Sequence, residues 1–196
     1  MPATLFDDAL SADRPDAPLA ARMRPRTAAD IVGQTEALAP GTPLRRLLEA
    51  GADTPASLSS VILWGPPGSG KTTIATLLAT GSQRRFVELS AVTAGVRDVR
   101  EVVAAARDGL ITGRHTVLFI DEVHRFSKTQ QDALLPAVEN GLVTLVAATT
   151  ENPSFSVISP LLSRSIVVRL ARLEESAIGE LIDRALVAPA GLAGRW

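Results

Sequence analysis

The sequence predicts a three-layer α/β fold, in which helices cover both faces of a five-stranded parallel sheet. Short apolar runs alternate with segments whose apolar residues recur at helical spacing, the order found in parallel sheets with right-handed crossovers. The run from Thr116 to Glu122 is continuously apolar up to its last two residues, as in a strand buried on both faces. A glycine-rich stretch joins another run directly to a helical segment. These three observations together set the fold class.

Composition narrows the class of protein further. The 196 residues are 46% hydrophobic and 21% charged, which suits one globular domain with a sizeable core. The chain has no cysteine, which excludes a disulfide framework or a thiolate metal site, and its two histidines are too few for a histidine metal cluster. A net charge of −1 provides no bulk attraction for nucleic acid, although a local patch remains compatible with it. Neither a signal-peptide pattern nor an apolar run of membrane-spanning length is present, so we expect a soluble cytoplasmic protein without membrane contact.

The N-terminal part of the chain shows little periodicity. Residues 1–17 mix Asp, Ala, Pro and Ser, a composition typical of a flexible tail. A short helix is predicted from Leu44 to Ala50, and Gly51 ends it. Between these parts, three arginines fit either phosphate contacts or a solvated basic linker, and composition leaves both open: Arg22, Arg24 and Arg26.

The first core strand, Val61–Trp64, leads directly into the pattern G-x-x-x-x-G-K-[ST] from Gly65 to Thr72. In such a loop the backbone N–H groups point inward around phosphate groups, and the following helix adds its positive N-terminal end. Lys71 is expected on the β- and γ-phosphates, and the Thr72 hydroxyl on Mg²⁺. The nucleotide-binding candidates of this loop are Gly65, Pro66, Pro67, Gly68, Ser69, Gly70, Lys71, Thr72 and Thr73.

The rest of the chain continues the alternation of strands and helices. Apolar runs predict strands at Phe86–Leu89, Thr116–Asp121, Leu142–Ala148 and Ser165–Val168. Helical spacing predicts helices at Lys71–Gly81, Val96–Gly109, Ser127–Asn140 and Glu174–Val187. Pro136 is expected to kink the third of these helices or to loosen one of its turns, and Ala188–Trp196 has no usable pattern.

Two adjacent acids, Asp121 and Glu122, end the Thr116 strand. The carboxyl ends of parallel strands meet at one edge of the sheet, where the phosphate loop also lies. Adjacent residues at a strand end point in different directions, so Asp121 can face Mg²⁺ while Glu122 faces an attacking water. This pair supplies the metal ligand and the water-activating group that hydrolysis of a nucleoside triphosphate needs. His124, close behind, is interpreted as structural.

The next strand ends in small polar residues, 149–152, which can orient a water or sense a γ-phosphate. A turn before Pro153 would favour the same residue types, so their position supports a function more than their composition does. Arg164 follows a segment that begins with proline. From composition alone, Arg164 would be interpreted as an ordinary charged residue on the surface.

These residues together resemble the AAA+ ATPases of the clamp-loader and Holliday-junction-motor branch, and most specifically the replication-associated recombination protein A family, called Werner helicase-interacting protein in eukaryotes. The phosphate loop is generic, whereas Trp64 before it and the segments Phe119–Phe126 and Ala148–Phe155 are more specific to this family. The resemblance covers about Pro18 to Val187. The segments that carry it are Pro18–Pro25 with Ile31–Gln34, Leu63–Thr72, Glu88–Val92, Phe119–Phe126 and Ala148–Phe155.

The resemblance implies ATP and Mg²⁺ as cofactors and assigns their contacts. Lys71 and Thr72 match the Walker A motif, and Asp121 and Glu122 match Walker B, with Mg²⁺ held by Thr72 and Asp121. The residues expected to border the adenine and ribose, in place of a basic linker, are Arg24, Pro25, Ile31 and Val32.

Three further roles follow from the resemblance. Either Thr150 or Asn152 is similar to sensor 1, and the alignment of this strand end leaves the choice open. Arg164 is similar to the arginine finger that one subunit inserts into its neighbour's site, a group worth ~10³ to 10⁵ in rate. Ser90 is similar to the residue that holds the Walker B glutamate inactive until DNA binds. The implied partners are single-stranded or forked DNA, further copies of the chain and replication proteins, in the cytoplasm and near the nucleoid in a bacterium.

The C-terminus departs from the family pattern, which continues into a helical lid with a sensor 2 arginine and an oligomerisation region. We therefore expect a tail at 1–17, an AAA+ core at 18–172, and the start of a largely missing lid with an irregular tail at 173–196. The first functional hypothesis is a DNA-dependent ATPase acting in replication-fork maintenance, repair and recombination. The second is a nucleotide-binding interaction module that does not hydrolyse ATP. A DExH-type helicase would need a second motor domain, for which no room remains after Arg164.

Overall fold

The computed structural model describes residues 17–49, 59–81 and 84–193. Within them a single sheet of five parallel strands forms in the spatial order β2-β3-β4-β1-β5. This confirms the predicted sheet. The strands are β1 Ser60–Trp64, β2 Arg85–Ser90, β3 Thr116–Asp121, β4 Thr144–Thr149 and β5 Ser165–Arg169.

Helices connect these strands, and short helical turns follow several of them. The α-helices are α1 Leu19–Arg22, α2 Pro43–Glu49, α3 Lys71–Gly81, α4 Val96–Ile111, α5 Lys128–Asp132, α6 Leu135–Glu139, α7 Pro153–Ser156, α8 Ser159–Leu162 and α9 Glu175–Val187. Two 3-10 turns lie at Ala28–Asp30 and Val123–Arg125. No helix in the described ranges is long and apolar enough to cross a membrane.

The sheet has a separate apolar core on each face, because successive strand residues point to opposite sides. Ile62 and Leu118 point to one face, where they pack with residues of α4 and α6. Leu63 and Phe119 point to the other, where they pack with residues of α2 and α3. Helices therefore cover both faces, and the three-layer prediction is confirmed.

The strand order decides what lies beside the phosphate loop. Strand β1 lies between β4 and β5, and Trp64 at its end pairs with Thr149 of β4 and Arg169 of β5. Strand β3 is the next neighbour beyond β4. The polar residues that follow β1, β3 and β4 consequently meet at one edge of the sheet, as the sequence predicts.

The helix predicted for Ser127–Asn140 is interrupted by a turn just before Pro136, so the expectation of a continuous, kinked helix is wrong. The structure has two short helices, α5 and α6, and the backbone N–H of Leu134 bonds back only three residues, to Gln131. Pro136 lies in the first turn of α6, where its missing N–H is not needed. The proline therefore starts a new helix instead of bending an existing one.

Other boundaries differ less. Helix α4 continues to Ile111, past the predicted end at Gly109, and Gly113 with φ +75° follows it. Helices α1, α7 and α8 were not predicted, because four residues are too few to show helical periodicity. The tail predicted for 1–17, apart from its last residue, and the helix end predicted at Gly51 lie outside the described residues.

Candidate nucleotide-binding and hydrolysis site

The phosphate loop connects β1 to α3, and its backbone has the shape that its glycines permit. Gly68 and Gly70 have φ values of +77° and +91°, in the left-handed region that side-chain-bearing residues rarely adopt. The side chain of Ser69 between them is 3% exposed, and its hydroxyl has no hydrogen-bond partner among the described residues. A buried hydroxyl without a partner and an open glycine loop fit the oxygen atoms of a phosphate.

Lys71 closes the loop from the first turn of α3. Its Nζ donates hydrogen bonds of 2.9 Å to the carbonyl oxygens of Gly65 and Pro66. Burial lowers the pKa of this ammonium group, whereas the nearby charges of Asp121 and Glu122 raise it. The lysine is thus within electrostatic reach of both acids that end β3.

Asp121 is the last residue of β3 and is half-buried. Burial and the neighbouring Glu122 raise the pKa of its carboxyl, while the backbone N–H of Glu122 and the charge of Lys71 lower it. Hydroxyl and carboxylate oxygens are the ligands that Mg²⁺ prefers, so Thr72 and Asp121 fit a magnesium ion beside the phosphate loop.

Glu122 has an unusual backbone conformation. It is the non-glycine residue with positive φ in the described part of the chain, at φ 57° and ψ 44°. A left-handed residue with a side chain costs on the order of 1–3 kcal/mol, and such strain is concentrated at functional sites. The Glu122 carboxylate lies 3.1 Å from the Nε2 atom of His124 and 3.8 Å from the Nε atom of Arg125.

The end of β4 separates the two candidates for sensor 1. Thr150 lines a cleft of about 840 Å³ together with Gly65 and Pro66 of the phosphate loop. Asn152 instead caps α7, because its Oδ1 atom accepts a 3.0 Å hydrogen bond from the backbone N–H of Ser154. Thr150 is therefore the one that faces the nucleotide side, and the assignment of sensor 1 stays a prediction.

The four residues predicted to border adenine and ribose are divided between two places. Val32 lines the cleft beside the phosphate loop, with Trp64 and residues of α9. Arg24 lies near Glu88 of β2: burial and the charge of Asp121 raise the pKa of the Glu88 carboxyl, and the charge of Arg24 partly opposes this. Pro25 is half-buried, and Ile31 packs against the core beneath α2 and α3.

Gln34 belongs to the site and was not predicted as a site residue. Its side chain is 3% exposed, and its amide donates to the carbonyl oxygens of Ser69 (3.1 Å) and Ala171 (2.9 Å). Its Oε1 atom also accepts from the backbone N–H of Ala171 at 3.0 Å. This one side chain links the phosphate loop to the residues after β5. A single glutamine has no spacing pattern by which sequence analysis could find it.

Arg164 lies at the opposite edge of the sheet from the phosphate loop. It precedes Ser165, which pairs with Ser60 at the amino end of β1, whereas the loop follows the carboxyl end of that strand. Five strand residues span about 17 Å, at ~3.3 Å per residue. The Arg164 guanidinium pairs with Glu139 at 2.8 Å and donates to the carbonyl oxygen of Pro160 at 2.9 Å.

Ser90, the last residue of β2, has no hydrogen bond to Glu122 in the described structure. Its exposed side chain instead accepts from the backbone N–H of Val92 at 3.4 Å. The partners of the Glu122 carboxylate are His124 and Arg125 instead of Ser90. The suggested inhibitory role of Ser90 stays a prediction without a contact to support it.

Comparison with known proteins identifies similar chains. The model of the ATPase family associated with various cellular activities (AAA) matches residues 61–173. Replication-associated recombination protein A of Escherichia coli is 50% identical over 169 residues, which are 86% of this chain and 37% of that protein. An uncharacterized AAA domain-containing protein of Mycobacterium tuberculosis is 57% identical, over 90% of this chain and 38% of that protein. This chain thus spans well under half the length of these curated relatives.

A solved structure gives a similar result. The RuvB Holliday junction branch migration motor of Thermotoga maritima superposes with a TM-score of 0.70 and 32% identity. The match covers 83% of this chain and 53% of that one. The similarity therefore extends over most of the present chain and about half of the motor.

Proposed function

Because this chain belongs to the AAA family of ATPases, we propose that it binds ATP with Mg²⁺ and hydrolyses the ATP to ADP and phosphate. The observation that carries the proposal is Glu122, whose strained backbone directly follows the half-buried Asp121 within electrostatic reach of Lys71. A glycine in that position would form the same turn without strain, so the presence of a strained glutamate points to a function for its carboxylate.

The phosphate loop binds the nucleotide in this proposal. Its backbone N–H groups surround the phosphates, and Lys71 exchanges its bonds to two loop carbonyls for the β- and γ-phosphate oxygens. Thr72 and Asp121 would hold Mg²⁺, which when bound neutralises charge on those oxygens. Val32 and the cleft beside the loop accept the base and sugar.

Glu122 is the proposed general base. Its carboxylate takes a proton from a water molecule whose oxygen forms a bond to the γ-phosphorus. The bond from that phosphorus to the bridging oxygen of ADP breaks, which leaves ADP and phosphate. Thr150, at the end of β4 and facing the cleft, orients this water or the γ-phosphate.

Arg164 is proposed to act in a neighbouring copy of the chain. Its place at the amino end of β5 puts it a strand length away from its own phosphate loop, so its own site is out of reach. A homo-oligomer in which this face meets the next subunit's nucleotide would bring the guanidinium to the γ-phosphate. Hydrolysis would then depend on assembly.

We also propose a role at DNA. The relatives include a replication-associated recombination protein and a Holliday junction branch migration motor. By this similarity the present chain would act on single-stranded or forked DNA in fork maintenance, repair and recombination, with replication proteins as further partners. A cytoplasmic location near the nucleoid of a bacterium is part of the same proposal.

The experiment is steady-state ATP turnover across protein concentration, with and without forked DNA, for wild type and Glu122→Gln. We expect turnover to fall by about 10²- to 10⁴-fold in Glu122→Gln while ATP binding is retained, because only the base is lost. Glu101→Gln, an exposed position on α4, is the matched control and should keep wild-type turnover. Binding without turnover by the wild type under every condition would contradict the proposal and leave a nucleotide-binding interaction module.

A further inference from the structure

His124 lies between Glu122 and the end of β4, in the 3-10 turn Val123–Arg125 that follows the acids. Its side chain is only 9% exposed. The Nε2 atom is 3.1 Å from Oε2 of Glu122, and the Nδ1 atom is 3.1 Å from Oγ1 of Thr149. Both ring nitrogens therefore have polar partners, one on each side of the site.

The carboxylate of Glu122, together with the hydroxyl of Thr149, indicates which ring nitrogen of His124 carries the proton. Thr149 is fully buried, and its hydroxyl oxygen accepts a 3.0 Å hydrogen bond from the backbone N–H of Glu151. Its own proton has two acceptors within reach, the carbonyl oxygen of Glu151 at 3.3 Å and Nδ1 of His124 at 3.1 Å. A carboxylate accepts only, so Nε2 must donate to Glu122. The hydrogen bonds are complementary when the proton is on Nε2 and Nδ1 accepts.

The hydrogen bond from His124 affects how the Glu122 carboxylate is oriented. A glutamate side chain has several rotatable bonds, and 31% of this one is exposed, so polar contacts are needed to hold the carboxylate in one orientation. Arg125 is more distant from the Glu122 carboxylate, at 3.8 Å, and has a 58% exposed side chain. An exposed ion pair of that length contributes little. His124 is thus the buried group that orients this carboxylate.

We propose that His124 is a positioning residue for Glu122. Its Nε2–H holds the carboxylate that activates water, and its Nδ1 ties that carboxylate to the end of β4, beside Thr150. The role rests on the proposed ATP hydrolysis, because it concerns the same general base. His124 itself does not touch the substrate.

A first measurement needs neither nucleotide nor turnover. The chain has only two histidines, so the ring nitrogen signals in long-range ¹H–¹⁵N NMR spectra of the full chain are assigned with His115→Asn. We expect the His124 ring to carry its proton on Nε2, and its signals to shift in Glu122→Gln but not in Glu101→Gln. A proton on Nδ1, or signals unchanged by Glu122→Gln, would overturn the proposal.

The second measurement separates positioning from packing. The amide nitrogen of glutamine reaches the place of Nε2, whereas that of asparagine reaches only the place of Nδ1. We expect His124→Asn and His124→Phe to lower kcat by roughly 10- to 100-fold through a misplaced base, with KM and ATP affinity within about twofold of wild type. His124→Gln should recover most of the lost kcat.

The contrary results are distinct. Full kcat in His124→Phe, or a kcat in His124→Asn equal to that in His124→Gln, would show that the ring only fills space and would overturn the proposal. A parallel loss of ATP affinity would also overturn it. If the wild type does not hydrolyse ATP at all, the proposed function fails, and the NMR spectra still decide whether His124 holds Glu122.

Discussion

The side-chain amide of Gln34 joins two parts of the candidate nucleotide site that are far apart in the chain. It bonds to the carbonyl oxygen of Ser69 in the phosphate loop and to both backbone groups of Ala171 after β5. Gln34 itself is 3% exposed, whereas Ala171 is an exposed residue. Gln34 therefore satisfies three polar groups and keeps the loop in its open shape.

Replacing this residue tests that role. Gln34→Leu preserves volume but leaves the three partners without hydrogen bonds, at a cost of about 1–3 kcal/mol for each group that stays dry. We expect the free energy of unfolding to fall by at least about 1 kcal/mol in urea denaturation, and ATP affinity to fall with it. Unchanged stability would show that Ser69 and Ala171 do not depend on the amide.

Asp121 and Lys71 are a second residue-scale feature. Burial raises the pKa of Asp121 and lowers that of Lys71, and the charge of each residue opposes the shift in the other. Burial has the larger effect in both, so the pKa of Asp121 is raised and that of Lys71 is lowered overall. Such an arrangement is expected where charged groups serve a ligand more than the fold.

At the scale of elements, the 3-10 turn Ala28–Asp30 anchors the N-terminal segment. The Asp30 carboxylate accepts hydrogen bonds from the backbone N–H groups of Thr27 (2.9 Å) and Arg26 (3.2 Å), and from the Thr27 hydroxyl (2.8 Å). Arg184 of α9 donates to the Asp30 carbonyl oxygen at 2.8 Å. The turn therefore links the segment before the core to the last helix.

This turn has a pH-dependent contribution. The Thr27 side chain and the N–H groups of Thr27 and Arg26, with the charge of Arg184, hold the pKa of Asp30 below its ordinary value of 3.8, against a smaller opposing effect of burial. The ionised form is favoured in the folded state, so its stabilisation is present at neutral pH and is lost as pH falls through the lowered pKa.

Asp30→Asn should accordingly unfold more easily than wild type at pH 7, and the difference should narrow as pH falls below about 4. Urea denaturation at a series of pH values measures this, with Asp108→Asn on the exposed side of α4 as the matched control. A difference that is constant with pH would mean that the charge of Asp30 contributes nothing.

At the scale of the whole molecule, the two edges of the sheet have different chemistry. The carboxyl edge carries the phosphate loop and the acids, whereas the amino edge carries Arg164 paired with Glu139. Parallel strands impose this separation, because each strand runs from one edge to the other. One copy of the chain therefore presents Glu122, the proposed base, and Arg164 on opposite sides.

Mixing two variants tests whether these edges cooperate between copies. Arg164→Ala and Glu122→Gln should each be inactive, with losses of about 10³-fold or more for the arginine. Their mixture should recover part of the wild-type turnover, because some sites combine an intact Glu122 with an intact Arg164. The control is a mixture of Glu122→Gln with Arg107→Ala, a variant that keeps both Glu122 and Arg164. Its turnover shows how much activity survives when Glu122→Gln is mixed with an otherwise active chain.

Two outcomes would contradict action in a neighbouring copy. Arg164→Ala that keeps wild-type turnover would remove the arginine from the reaction. Failure of the mixture to recover any turnover, when the control mixture does, would show that base and arginine are needed in the same chain. The division into a core at 18–172 and a lid beginning at 173 stays a prediction.

Much of this protein follows from its sequence alone. The five parallel strands, the three layers and the AAA family are confirmed, and the resemblance to replication-associated recombination protein A is borne out by 50% identity. These features are local: an apolar run forms a strand, and Gly68 and Gly70 allow a left-handed loop wherever the chain places them. The predicted helix 127–140 failed for an equally local reason, since proline can begin a helix as well as kink one.

Tertiary structure alone decided the contacts that join distant residues. Gln34 meets Ala171, 137 residues later, and His124 meets Thr149, 25 residues later, only because the crossovers bring strand ends to one edge. The same crossovers place Arg164 at the other edge. Local periodicity specifies which face a residue occupies, whereas a hydrogen bond near 3 Å requires that two separate elements be packed in register. For that reason the sequence determined which groups are present, and the packed sheet determined which of them act together.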